Sequence, residues 1–149
     1  MATYQTAYTE SPAIGLPGLV ANSELKNEVS AVCQSAIPFG YPAYRGTVEG
    51  TARQYTAGAD FLGIARLTPA VKAKAAAPDS YAANETGAFV TLGAVYVSAA
   101  ATVTHGEAAY WDDTAKVFTD VSAGNTAIAG AEFDTAPVGG IAKLVLKLR

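Results

Sequence analysis

The chain has 149 residues, of which half are hydrophobic and 15% are charged, and its formal net charge is −3. This length is typical of one domain whose core needs neither metal nor disulfide support. The basic residues form no run and Cys33 is the only cysteine, which argues against nucleic acid as a partner and excludes an intrachain disulfide and a multi-cysteine zinc site.

The first predicted element is an irregular N-terminal arm. Glycine and proline recur between Met1 and Gly18, and both residue types oppose regular secondary structure. An arm of this kind is normally disordered on its own, so we expect a neighbouring chain to hold it. We therefore divide the chain into an arm and linker, residues 1–42, and a β-rich domain, residues 43–149. Because the first basic residue is Lys26, we expect no secretory signal.

Two alternatives stay open for residues 22–33. The apolar residues Leu25, Val29 and Val32 follow the spacing of one helix face, which predicts one short helix. The competing interpretation is an extended arm, in which Val29 and Val32 lie in short strand pieces. Two prolines and a glycine within residues 37–42 end either element.

The pattern after Ala43 predicts short β-strands separated by turns. The predicted strands are Tyr44–Val48, Phe61–Leu67, Phe89–Leu92, Val95–Thr104, Ala108–Trp111, Lys116–Thr119, Ile128–Phe133 and Ile141–Arg149. Gly93 predicts a bulge or bend, and the two prolines between Thr68 and Gly87 favour a long loop over a helical turn at residues 70–77. Seven or eight short strands predict a mainly β fold, a small antiparallel β-barrel or sandwich with an extended N-terminal arm.

The uncharged stretch from Thr86 to Thr104 does not have the pattern of a membrane span. Its apolar residues alternate with polar ones, as in a strand with one buried face. The residues of that face are Val95, Val97, Ala99, Ala101 and Val103. A membrane helix needs about 20 predominantly apolar residues in a row, so we expect no membrane partner.

No constellation of side chains points to catalysis or to a metal. His105 is the only histidine and no nucleophile motif surrounds any serine, so we expect His105 in a hairpin turn. Glu107, Asp112 and Asp113 follow it, but their spacing matches neither a zinc site nor a calcium loop. Gly139-Gly140 precedes a strand, unlike a phosphate-binding loop, which opens a helix. We expect no enzymatic activity, no catalytic residue, no metal and no cofactor.

The order of several short motifs resembles the structural cement, or head-decoration, proteins of tailed bacteriophages. The matching pieces are Pro17-Gly18, Ile37–Gly40, Tyr44–Val48, Phe61–Ala65, Gly93–Val97, Val103–Tyr110 and Ala142–Leu146. The segment Asp112–Lys116 lacks the glycine expected before the next strand, which leaves that turn's type open. The resemblance implies a protein without catalytic residues that binds the outer surface of a phage head. It further implies trimers near three-fold positions that tie neighbouring capsomers together.

These inferences lead to a specific expectation about the contact surface. The protein would act in the virion, on the outside of a capsid assembled in the host cytoplasm, with the major capsid protein and its own copies as partners. Tyrosine is favoured at protein interfaces, and half of the tyrosines lie in or just after the arm. The expected contact residues are Tyr4, Tyr8, Pro12, Ile14, Leu16, Leu19, Phe39 and Tyr41.

The alternative function is a carbohydrate- or receptor-binding β-domain of a phage tail or surface adhesin. It depends on exposed aromatic side chains, such as Tyr110 and Trp111, that could stack on sugar rings. The single tryptophan counts against this alternative.

Overall fold

A computed structural model describes residues 15–22, 25–68 and 79–147. Within these ranges the chain forms eleven β-strands and no helix, so it has no helix that could span a membrane. The strands are β1 (Asn27–Cys33), β2 (Ile37–Pro38), β3 (Pro42–Arg45), β4 (Thr51–Arg53), β5 (Phe61–Ala65), β6 (Ser80–Tyr81), β7 (Thr86–Ser98), β8 (Ala108–Asp112), β9 (Val117–Thr119), β10 (Thr126–Phe133) and β11 (Ile141–Leu146). The mainly β fold with a small barrel is therefore confirmed.

Five strands close into a small barrel. The order is β1-β4-β3-β5-β7, and β7 pairs with β1 to complete the ring. β1 pairs with β7 in antiparallel register from Asn27 to Val32, but it pairs with β4 in parallel only at Val32 and Cys33. β1 is therefore paired along most of its length with β7, but over only two residues with β4.

The long strand β7 also belongs to the second half of the fold. Its later residues, Gly93 to Ser98, pair with β11, and the sheet continues through β10 and β8 to β9. An isolated bridge between Ala99 and Phe118 brings β9 back towards the end of β7. Gly93 has a φ of 116° where β7 changes partners, which confirms the predicted irregularity.

Two hydrophobic cores share the central strands. One lies within the barrel and includes Cys33 and Phe89, and the larger one lies between the barrel and the second half and includes Trp111. Successive residues of β3, β5 and β7 enter different cores because side chains alternate along a strand. The alternating pairs are Ala43 and Tyr44, Ala65 and Ile64, and Phe89 and Val90.

The helix prediction for residues 22–33 is wrong over the described residues 25–33, where the extended alternative is confirmed. Leu25, which the helix would have buried, has 80% of its surface exposed, and residues 27–33 form β1. Long-range pairing with β7 decides this conformation, and a single sequence does not contain that information.

Several predicted strand ends also differ from the structure. β7 stops at Ser98 instead of Thr104, because residues 100–103 form a turn in which the amide of Val103 donates to the carbonyl of Ala100. Ala101 is consequently exposed, although it was expected on the buried face. The considered helical turn at residues 70–77 lies outside the described residues.

The boundary between an arm and a domain at residue 42 stays a prediction. Described residues on both sides of it share the barrel, since β1 precedes the boundary and β4 follows it. The predicted hairpins at β8–β9 and the final strand β11 are confirmed, with Ala142, Leu144 and Leu146 on the buried face of β11.

Candidate interaction surface

Residues 15–22 lie against β7. The amide of Gly18 donates to the carbonyl of Tyr96 at 2.8 Å, and the amide of Tyr96 donates to the carbonyl of Leu19 at 2.9 Å. Val20 forms an antiparallel bridge with Val95. This part of the N-terminal region is therefore fixed to its own chain by a short β-ladder.

The segment begins with a tight turn from Leu16 to Leu19. The amide of Leu19 donates to the carbonyl of Leu16 at 3.0 Å, and Gly18 has a φ of 82°. Proline at the second position and glycine with positive φ at the third are the signature of a type II turn. The motif Pro17-Gly18 thus determines the conformation that presents Leu16 and Leu19 to solvent.

Gly18 and Gly40 allow this turn to approach the barrel closely. A Cβ on Gly18 would lie 2.7 Å from the carbonyl oxygen of Ala65, and one on Gly40 would lie 2.7 Å from Cβ of Pro17. The amide of Leu67 also donates to the carbonyl of Gly18 at 2.8 Å. The turn is therefore held on a rigid base formed by the end of β5.

An apolar cleft of about 260 Å³ lies beside the turn. We call it the Phe39 cleft; it is lined by Leu16, Pro17, Pro38, Phe39, Leu67 and Asp79. Phe39 packs edge-on against Tyr81, with ring centroids 5.1 Å apart, and the hydroxyl of Tyr81 donates to the carbonyl of Arg66 at 2.7 Å. A packed aromatic pair thus supports one wall of the cleft.

The structure separates the expected contact residues into three groups. Leu16 and Leu19 are exposed, by 57% and 39% of their surfaces, at the two ends of the turn. Phe39 lines the cleft and is only 8% exposed, while Tyr41 is half-buried inside the molecule. The other four residues, Tyr4, Tyr8, Pro12 and Ile14, lie outside the described residues.

Three further residues of the cleft have no sequence signal. Pro38, Leu67 and Asp79 come from segments that are distant along the chain, and only the folded barrel brings them beside Leu16. The amide of Phe39 donates to the carbonyl of Asp79 at 2.9 Å, which fixes two of these segments together.

The acidic residues after His105 have structural partners. The carboxylate of Asp112 accepts the amides of Thr114 and Ala115, at 2.8 and 2.9 Å, and so stabilises the β8–β9 turn. The carboxylate of Asp113 accepts from the indole of Trp111 and from Lys116. Among the described residues, no three histidine, cysteine or acidic side chains are grouped so that they could hold a metal ion.

Lys116 explains how this turn forms without glycine. Its φ of 58° lies in the left-handed region, and its amide donates to the carbonyl of Asp112 at 2.8 Å. The lysine therefore occupies the position where a glycine was expected, at an energetic cost that glycine would not have.

Cys33 is fully buried in the barrel and is not placed for nucleophilic chemistry. Burial, followed by the nearby Glu85 carboxylate, raises the pKa of its thiol to about 11. A thiol of this kind is almost entirely protonated at neutral pH, and the thiolate is the reactive form.

The aromatic residues proposed for sugar binding are not exposed as that alternative requires. Trp111 is only 2% exposed and packs between Tyr41 and Phe118, with ring centroids at 5.0 and 5.1 Å. Tyr110 is half-buried. The expectation of an exposed tryptophan is therefore wrong, because Trp111 is a core residue.

Comparison with known proteins decides the family. The family model of the structural cement protein (E217 gp24/Pam3 gp6) matches residues 4–147. The chain belongs to this family. The cement protein is thus a structural, capsid-stabilising protein of a phage, and the virion is its place of action.

A solved structure shows that the cement protein has a fold already seen in a phage capsid. The chain is similar to one from the capsid of Myoviridae phage XM1, with a TM-score of 0.75 over 97% of both chains and 16% sequence identity. At this identity the likeness establishes the fold alone. The comparison with curated proteins gave no match.

Proposed function

We propose that the cement protein binds the outer surface of the head, bridges neighbouring major capsid protein subunits as a homotrimer, and catalyses no reaction. The family match over nearly the whole chain is the observation that carries this proposal. The resemblance noted in the sequence supports the trimer and the external position.

The turn at Leu16 and Leu19, together with the Phe39 cleft, is the proposed capsid contact. Two exposed leucines beside an apolar cleft offer surface whose burial contributes about 25 cal/mol per Å². The turn is hydrogen-bonded to β7 and to Leu67, so little conformational entropy is lost when it binds. Each copy therefore presents a rigid apolar surface that can bind the capsid.

Many copies on one lattice make modest individual contacts sufficient. A subunit that is held at one contact has a high effective concentration at the next. The charges contribute less, because Asp113, Asp134 and Glu132 already pair with lysines of their own chain. We therefore expect head binding to depend only modestly on ionic strength.

A charge placed in the proposed contact tests this assignment. Leu16→Asp introduces a carboxylate at a position that is 57% exposed, and Val138→Asp is the matched control between β10 and β11, outside the turn and the Phe39 cleft, at a position that is 61% exposed. Purified variants would be added to heads that lack the protein, and occupancy would be measured by co-sedimentation and cryo-electron microscopy.

The proposal expects Leu16→Asp to reduce head occupancy strongly while its melting temperature stays close to that of the wild type. Val138→Asp should bind like the wild type. Equal head occupancy for both variants would show that the turn does not contact the capsid. Density for the protein on the inner face of the shell would contradict the external position.

A further inference from the structure

Among the described residues, the outer edge of β1 has no strand partner over most of its length. The amides of Val32 and Gln34 point away from β7, since they donate to the carbonyls of Gly50 and Ala52 at 3.0 and 2.7 Å. Backbone groups alternate in direction along a strand, so the amides and carbonyls of Glu28 and Ser30 point to this same side. In the described part of the chain, β4 pairs with β1 only at Val32 and Cys33, which leaves those groups without a strand partner.

A hollow of about 300 Å³ lies next to this open edge. Val29, Ala31 and Leu62 contribute its apolar surface, and the β3–β4 turn, including Val48, forms its far side. Val48 is 62% exposed, whereas Leu62 is only 9% exposed. The barrel thus has a gap in which free backbone groups lie beside partly covered core residues.

We propose that residues 2–9 of a second copy of this chain add to the edge of β1 as an extra strand. Exposed backbone donors and acceptors recruit an extended segment, and a neighbouring hollow accepts alternate side chains of that segment. The result is a contact between cement subunits, which goes beyond the proposed contact with the capsid.

The sequence of residues 2–9 suits this site. Ala-Thr-Tyr-Gln-Thr-Ala-Tyr-Thr contains five residues that favour strands, no glycine, no proline and no charge. Tyr4, Thr6 and Tyr8 share one face of a strand, and an aromatic side chain on that face can cover Val29 and Leu62. Burying this segment leaves no unpaired charge against the apolar floor.

The length of chain before the turn allows the segment to reach a neighbour. Fourteen residues precede Gly15, and a fully extended chain spans about 3.3–3.6 Å per residue, or roughly 45–50 Å in all. A compact domain of this size has a radius of gyration of about 15 Å. The segment is therefore long enough to leave its own domain and pair with an adjacent copy.

Cysteine cross-linking of the full-length protein tests the proposal. Ser30→Cys on one tagged chain would be mixed, in a glutathione buffer, with Gln5→Cys or Ala7→Cys on a chain with a different tag. Ser30 is exposed and lies on the outer face of β1, so its cross-strand neighbour belongs to the face of Gln5 and Ala7. Thr6→Cys is the control for the opposite face, and Val138→Cys replaces Ser30→Cys as the control for random collision.

We expect a disulfide between differently tagged chains from Gln5 or Ala7, at about tenfold higher yield than in either control. In the double variant Ser30→Cys/Gln5→Cys, mixed in two differently tagged forms, a disulfide formed only within one chain would overturn the second copy as the occupant. Yields equal to the controls would overturn the proposed strand pairing altogether.

A second pair of variants examines the backbone edge itself. Ser30→Pro removes an amide that points away from β7, so the β1–β7 ladder keeps its hydrogen bonds, and Ser30→Ala keeps the amide. Self-association in sedimentation velocity should decrease for Ser30→Pro alone, and unchanged association would count against the proposal. Head occupancy of Leu16→Asp reports the capsid contact separately, so either contact can fail without the other.

Discussion

The ring of Tyr41 lies against the indole of Trp111, with centroids 5.0 Å apart and planes inclined by 59°. Tyr41 packs against both hydrophobic cores, so this pair connects the barrel to the second half of the fold. Tyr41 is therefore a stabilising residue, and its expected contact with a partner stays a prediction.

Replacement of Tyr41 measures how much this connection contributes. Tyr41→Ala removes the ring from both cores and should lower the free energy of unfolding by on the order of 2–3 kcal/mol. Tyr41→Phe keeps the ring contact with Trp111, so its free energy of unfolding should be close to that of the wild type. If urea unfolding showed the same loss of stability in both variants, the ring would not be what connects the two cores.

Gly18→Ala tests the close approach of the turn to the barrel. The new Cβ would lie 2.7 Å from the carbonyl oxygen of Ala65 at a φ of 82°, so unfolding should become easier by about 2 kcal/mol or more. Gly50→Ala has a similar φ of 74° and no atom within 4 Å, and should lose only about 1 kcal/mol. If the two variants lost the same stability, the contact with Ala65 would have no energetic consequence.

Lys116 offers a stabilising substitution. Lys116→Gly removes the left-handed strain but loses the exposed ion pair with Asp113, and Lys116→Ala loses the ion pair while it keeps the strain. We expect the glycine variant to be more stable than the alanine variant by about 1 kcal/mol in chemical unfolding. The reverse order would show that the turn does not hold residue 116 at positive φ.

Acid should weaken the fold partly through Asp134. The hydrogen bond from Lys143 holds the pKa of Asp134 below its ordinary value of 3.8. A carboxyl whose pKa is lowered by folding stabilises the protein above the unfolded-state pKa, and this contribution is lost as pH falls through the folded-state value.

The melting temperature should therefore fall as the pH decreases from about 5 to 2, and Asp134→Asn should make that fall shallower. Lys143→Ala removes the same interaction from the other partner and should have the same effect on the slope. A slope that neither variant changes would exclude this pair as a source of acid sensitivity.

Cys33 should resist thiol reagents in the folded protein. Its side chain is fully buried, so reagents cannot reach the thiol. Its pKa is raised to about 11, so little of the reactive thiolate forms at pH 8. Labelling should become rapid only in denaturant. Fast stoichiometric labelling without denaturant would contradict the burial of Cys33 in the barrel.

Local patterns predicted the parts of the fold that depend on local interactions. Alternating residues and turn formers located β5, β8, β9 and β11, because side-chain alternation and Asx turns are encoded within a few residues. β1 was ambiguous because its strand conformation comes from pairing with β7, about sixty residues away. No local rule indicates such pairing.

The candidate surface was predicted only in part for the same reason. Leu16 and Leu19 are among the expected contact residues, and both are exposed at the ends of the Pro17-Gly18 turn. The Phe39 cleft combines Leu16 with Leu67 and Asp79, which meet only after the barrel has closed.

Addition of the purified cement protein to phage heads that lack it tests the central claim most directly. The heads would be heated with and without the protein while rupture is followed by DNA release, and the particles would be imaged by cryo-electron microscopy. The account predicts density on the outer surface between major capsid protein subunits and a higher rupture temperature. Heads that bind no protein, or that rupture at the same temperature when fully decorated, would contradict it.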